Sequence, residues 1–287
     1  MLKSIKERLM DRVRYLSDNL GQRSYLDLDK LNESAAYIEN GFVTGGCEVK
    51  RQAFEYRGMT YYNIIGEVRG RNPEKRPIII GAHYDTVIGT PGADDNASGV
   101  VAILELSNLY ASSPGDRNVI FVAFSLEEPP VFMTSRMGSF VYAKALKEMG
   151  MAIEGMISLE MLGYYSDSKG SQIYPLSIFR LFYPDQGNFI AFVGNLASRP
   201  FTRRFTETFR SVTKFPVESL NAPSLIPGID FSDHRSFWRF GYPAFMITDT
   251  AFYRNPNYHG IGDISSTLDY ERMEELVEGL YRTLLKF

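Results

Sequence analysis

Five short stretches of the chain carry side chains that could do chemistry: His83-Tyr84-Asp85, Asp94-Asp95-Asn96, Glu127-Glu128, Glu160 and Tyr258-His259. The single cysteine, Cys47, excludes a zinc site built on several thiolates, so any metal must be held by His, Asp and Glu. In a strand, residues two apart share a face, so Asp85 can lie beside His83 and orient its ring. Asp94-Asp95-Asn96 suits a helix N-cap before Ala97-Ser98-Gly99. A carboxylate also has two oxygens and can bridge two ions about 3.5–4 Å apart, which makes one of these two aspartates the natural bridge. Glu127 and Glu128 point in different directions as neighbours do, and Pro129-Pro130 fix the backbone after them. One could bind metal while the other reaches a water: a ligand and a base. Glu160 ends the apolar run Gly155 to Leu159, where a buried carboxylate is costly without a cation or a hydrogen-bonding partner. His259 alone reads as a solvated loop residue; its company gives it weight, because the chain has only three histidines, at 83, 234 and 259.

The elements that must position these residues are readable from periodicity. Apolar positions at three- and four-residue spacing predict helices over 3–20 and 28–40. Extended stretches at 47–56 and 60–69, joined by the turn signal Arg57-Gly58, predict an antiparallel pair. From Arg76 onward, buried strands are expected at 77–82, 119–125, 156–159 and 244–248. Helices are expected at 97–111, 138–149, 200–213, 232–240 and 269–285. This alternation predicts one α/β domain, residues 1–287, with a central mixed, mostly parallel sheet flanked by helices on both faces. Ligands of such sheets gather at the carboxyl ends of the strands. His83, Glu127-Glu128 and Glu160 follow three of those ends, and His259 lies beyond the fourth.

Composition narrows the function classes. Hydrophobic residues make up 44% and charged residues 23%, as in folded globular chains, so a large core is expected. A net charge of −3 gives no broad basic field, which excludes a nucleic acid or an anionic membrane as the main partner. Charges interrupt every apolar stretch at the N-terminus, so neither a secretory signal nor a membrane anchor is readable. A cytoplasmic location is expected if Met1 is the true start.

The runs His83-Tyr84-Asp85, Gly92 to Gly99, Glu127-Glu128, Glu160 to Gly163, Ser232-Asp233-His234 and Tyr258-His259 resemble the co-catalytic di-zinc aminopeptidase family. That family also contains glutamate carboxypeptidases and glutaminyl cyclases. The likeness extends from about Tyr62 to the C-terminus, with all six motifs in order. It implies two zinc ions per chain, His83 and Glu160 on one, Glu128 and His259 on the other, and Asp95 bridging, with Asp94 only its neighbour. It further implies Glu127 as general base, Asp85 as the carboxylate orienting His83, and Tyr258 as a donor to the oxyanion. Asp233 and His234 would line the site behind these. Glu160 departs from the aspartate that many aminopeptidases of the family carry there, but it is still a carboxylate. The segment from Pro129 to Met137 is longer than usual, and its Phe132, Met133 and Met137 could rim a substrate pocket or simply pack.

The implied activity is a zinc metallopeptidase acting on peptides, releasing amino acids from their N-termini. Three alternatives share features with it: a glutaminyl cyclase-like acyltransferase, a carboxypeptidase or deacylase on the same zinc core, and a non-catalytic binding domain. The paired Glu127-Glu128 and the Asp95-Asn96 step favour the two-zinc hydrolase, and a domain that had lost its metal should lack ligands that are all present here.

Overall fold

The expected alternation of strand and helix is present in the computed structural model, which describes residues 3–287. Its strands are β1 (Glu48–Tyr56), β2 (Met59–Val68), β3 (Ile78–His83), β4 (Val119–Phe124), β5 (Gly155–Glu160), β6 (Ile190–Gly194), β7 (Val217–Asn221) and β8 (Ala244–Thr248). Its helices are α1 (Ile5–Arg14), α2 (Leu28–Thr44), α3 (Gly99–Ser112), α4 (Gly138–Glu148), α5 (Arg199–Val212), α6 (His234–Trp238) and α7 (Tyr270–Lys286). The eight strands form one α/β sheet in the order β1-β2-β4-β3-β5-β8-β6-β7. The centre, β4-β3-β5-β8, is parallel. The β1-β2-β4 edge and the β8-β6 step are antiparallel, and β6-β7 is parallel again.

Every residue of β3, β4 and β5 is buried, which is why these strands read as continuous apolar runs rather than alternating ones. Alternate residues nevertheless serve different layers. Ile78, Ile80, Val119 and Phe121 pack with α1, α2, α3 and α7 in the main core, while Ile79, Ile120, Val122 and Phe124 pack with α4 and α6 on the opposite face. Gly81 is required by this packing, because a β-carbon there would stand 2.3 Å from the Phe124 ring. The β1-β2 hairpin closes on Arg57 and Gly58, both with positive φ, the conformation that a tight two-residue hairpin turn uses.

Two departures from the expected elements matter for function. The first helix stops at Arg14 and continues as a wider-wound turn to Leu20, where Gly21 at φ 71 breaks it. This turn brings Arg23 into the interior. The second departure is the pair β6 and β7, five residues each, which extends the sheet past β8. On one face of that extension Phe192 packs with Phe205, Phe209 and Phe245. On the other face Ala191 and Val193 pack with the loop residues Phe189, Ala222 and Ile229 and with Trp238 of α6. No helix among the described residues is long and apolar enough to cross a membrane.

Candidate active site

His83 is the last residue of β3 and Glu160 the last of β5. Glu127 and Glu128 follow β4 in a loop that Asp85 holds, since Asp85 Oδ1 accepts the Glu127 N–H at 3.0 Å and Oδ2 accepts the Glu128 N–H at 3.1 Å. The His83 ring is oriented by main chain, because its Nδ1 lies 3.1 Å from the Asp85 carbonyl oxygen but 3.6 Å from the carboxylate. Donation from Nδ1 leaves the Nε2 lone pair facing the site. The bond expected from the Asp85 side chain thus comes from its backbone, and the carboxylate instead fixes the two glutamates.

Asp95 lies in the turn before α3. The neighbouring Asp94 is turned away, its carboxylate accepting from Gly163 N–H at 2.8 Å and Asn255 Nδ2 at 2.7 Å. The turn is pinned from below by Asp263, which accepts both the Asp94 and Asp95 N–H groups. From the side, the Asn96 amide donates to the Leu159 carbonyl and accepts from Met161 N–H. His259 has φ 55, a left-handed conformation uncommon outside glycine, held where Tyr258 stacks on its ring at 3.7 Å between centroids.

Together these elements bring the predicted ligands into one cluster, buried except for the partly exposed His259. His83 Nε2 lies 3.3 Å from Asp95 Oδ1 and 3.3 Å from Glu160 Oε1. His259 Nε2 lies 3.2 Å from the other Asp95 oxygen and 3.5 Å from Glu128 Oε2. These separations are long for hydrogen bonds. Ligand atoms about 2.0–2.2 Å from a tetrahedral zinc stand about 3.3–3.6 Å apart, so both sets have the spacing of ligands around a shared cation. The donor set of imidazole and carboxylate suits zinc. Glu128 Oε1 is buried with no hydrogen-bond partner, an orphaned charge that a cation would satisfy.

The electrostatics carry the same message. Burial drives the Glu127 and Glu128 carboxyls well above the usual range, reinforced for Glu128 by Asp95 and Glu127. Burial also raises Asp95, but its polar contacts with His259 and His83 outweigh it and hold that carboxyl low. Burial would lower His83, yet the Glu160 charge and its carboxylate contacts raise it well above its ordinary value. A cluster this rich in carboxylates needs positive charge. Burial pushes the Tyr258 hydroxyl far up, with Asp95 and Glu128 adding to it, so it stays a proton donor at neutral pH.

Ser232, from a run already singled out in the sequence, and Arg23, which carried no sequence signal, also build the site. Ser232 donates to Glu160 Oε2 at 2.7 Å. Arg23 is fully buried and donates to the carbonyls of Tyr84, Leu16, Gly21, Pro91 and Gly92. It therefore ties the N-terminal helix to the segment that runs into Asp95. Burial lowers its guanidinium to about 10, with Asp263 and Asp85 opposing, so it remains a cation at neutral pH. Arg23→Met should strand these carbonyls and cost about 3–5 kcal/mol, measurable as a lower urea midpoint at unchanged slope. An unfolding free energy within about 1 kcal/mol of wild type would show that the clamp is dispensable.

His234 does not face the cluster: its Nε2 lies 2.8 Å from the Ile229 carbonyl and its ring lies edge-on to Trp238. Asp233 is buried near His83 and Glu160, which influence its ionisation. Met137 is part of the main core. Met133 belongs to a separate surface groove with Arg235 and Phe240, and Phe132 packs against Phe231. The cleft that opens beside Glu160 and Tyr258, about 830 Å³ with its mouth, is lined instead by residues from 172–193, 218–231 and 246–253.

Residues 63–284, from β2 into α7, match peptidase family M28. The chain belongs to that family. This M28 member is 43% identical to the uncharacterized Escherichia coli protein YfbL, with 97% of this chain and 87% of that protein covered. It is 26% identical to a probable leucine aminopeptidase of Arthroderma otae, covering 80% of this chain but only 57% of the fungal protein. Among solved structures it is similar to BSAP, a zinc aminopeptidase from Bacillus subtilis, at TM-score 0.77 and 16% identity, over 98% of this chain and 94% of that one. The M28 chain is a metallopeptidase, and zinc is its metal.

Proposed function

We propose that the whole chain, residues 1–287, is one zinc-exopeptidase domain acting as an aminopeptidase, with two zinc ions per chain. The observation that carries this reading is Asp95, whose two carboxylate oxygens face His83 on one side and His259 on the other. In this assignment His83 and Glu160 hold one ion, Glu128 and His259 the other, and Asp95 both. Bound there, zinc supplies Lewis acidity toward the scissile carbonyl and lowers the pKa of a water toward about 7.

Glu127 takes the proton of the attacking water as the C–O bond forms and the carbonyl oxygen gains charge, then delivers it to the amine as the C–N bond breaks, and no covalent enzyme intermediate is needed. Glu127 is buried at the site, where little bulk water competes for its carboxylate. Asp85 fixes its backbone. The Tyr258 hydroxyl, which makes no hydrogen bond within the described residues, donates to the oxygen that gains charge. A substrate with a free α-amine matches a cluster so rich in carboxylates.

The test is a panel of aminoacyl, N-acetylated, C-terminal and N-terminal glutaminyl peptides with zinc-loaded protein. Free-amine peptides should lose their first residue, and N-acetylated ones should react at least about a hundredfold more slowly, since acylation removes the donor that the buried carboxylates would pair. Equal turnover of both would overturn the aminopeptidase assignment, and cyclisation of the glutaminyl peptide would replace it.

A further inference from the structure

Across the extended half of the sheet, hydrogen-bonded register links Glu160 to Thr248, Thr248 to Ala191, and Ala191 to Glu218. Residues paired in register share a face, and all four line the cleft beside the candidate site. The row spans three strand spacings, roughly 14 Å, with a carboxylate at each end. Glu160 belongs to the metal cluster. Glu218 stands alone at the far end, among walls that include Phe179, Phe189, Val193, Leu220 and Met246.

Several other polar groups of the cleft are already engaged. The hydroxyls of Tyr174, Tyr183 and Tyr253 donate to the carbonyls of Pro184, Ser219 and Pro227. Gln172 is bound to Thr250, Ile173 and Arg254. Arg210 donates to the Val217 carbonyl at 2.9 Å and, though it opposes the upward push of burial on Glu218, forms no ion pair with it. Among the described residues Glu218 makes no hydrogen bond or salt bridge, so the cleft offers a long apolar wall ending in a half-buried carboxylate with no protein partner.

We propose that Glu218 selects peptides whose first residue is lysine or arginine. The inference rests on the aminopeptidase reading, in which the first side chain enters this cleft. A lysine or arginine side chain reaches roughly 6–7 Å from Cα to its last nitrogen, and a hydrogen bond of about 2.8 Å carries it to Glu218. That is about two thirds of the row, and the rest is the gap between Glu160 and a bound α-carbon. The aliphatic stem lies along the apolar wall while the cation meets the carboxylate. Leucine, whose methyls stop roughly 4 Å from Cα, leaves Glu218 unreached.

The experiment measures kcat/KM for lysyl, norleucyl and leucyl amides with the zinc-loaded wild type and with Glu218→Gln. Norleucine shares the lysine stem and lacks only the ammonium. Lysyl amide should exceed norleucyl amide at least about tenfold in the wild type. Glu218→Gln should bring the two within about twofold by lowering lysine alone. Norleucine equal to or better than lysine in the wild type overturns the proposal even if the variant does not fold, and so does an equal fall for both substrates in the variant. Cleavage of leucyl and norleucyl amides without a lysine preference removes only the role of Glu218. No cleavage of any aminoacyl amide overturns the aminopeptidase reading as well.

Discussion

Glu127→Gln is expected to lower turnover by about 10²–10⁴, the usual worth of a general base, while the zinc content stays at the wild-type value. The amide keeps the shape and the hydrogen-bonding reach of the side chain but cannot accept the water's proton. Its backbone anchor, the N–H bond to Asp85 Oδ1, is untouched by the substitution. Glu128→Gln should behave differently, because Glu128 faces His259 and carries the orphaned buried oxygen. That variant should bind metal more weakly and recover part of its activity in excess zinc. Kinetics and metal analysis on the same preparations separate the two. Identical behaviour, or metal loss at Glu127 with retention at Glu128, would reverse the assigned roles.

Asp95→Asn should have the larger effect on metal. An asparagine offers one oxygen, whereas both Asp95 oxygens are in use, one toward each histidine. The amide nitrogen would direct two protons at an imidazole Nε2 that must itself be unprotonated to bind metal. Zinc content should fall below one ion per chain and activity by at least about 10³-fold, the two losses of metal polarisation and of the activated water occurring together. Excess zinc should restore little, in contrast to Glu128→Gln. Asp94→Asn is the control, since the Asp94 carboxylate bonds Gly163 and Asn255 and faces neither histidine; its zinc content should match wild type. Full zinc occupancy in Asp95→Asn would remove Asp95 from the centre of the site.

Much of this site was legible in the sequence because its ligands sit at the ends of strands that announce themselves. Ile78 to Ala82 and Val119 to Phe124 are buried on both faces, and such strands are continuous apolar runs. The residues just past them then stand out as charge where the core ends. What stayed hidden lacked either periodicity or local company. β7, Val217-Glu218-Ser219-Leu220-Asn221, is an edge strand of mixed polarity, and β6 has only five residues, so the extended sheet half and the cleft on its face were not expected. The cleft was instead sought near Pro129 to Met137, where Met137 proves to be core. Arg23 and Asp263 act across 61 and 169 positions of chain, on Tyr84 and Asp94, and no spacing pattern reports a contact of that range. The carbonyl-held His83 ring could not be foreseen either, because backbone oxygens have no letter in the sequence.

The most direct measurement of the central claim is a zinc titration of metal-free protein, with bound ions counted by native mass spectrometry and aminopeptidase activity followed in the same samples. The account requires activity to rise to its plateau as the second ion binds, with two ions per chain in the fully active state and the same two in inactive Glu127→Gln. Full activity at one ion per chain, or in protein with none, would contradict it.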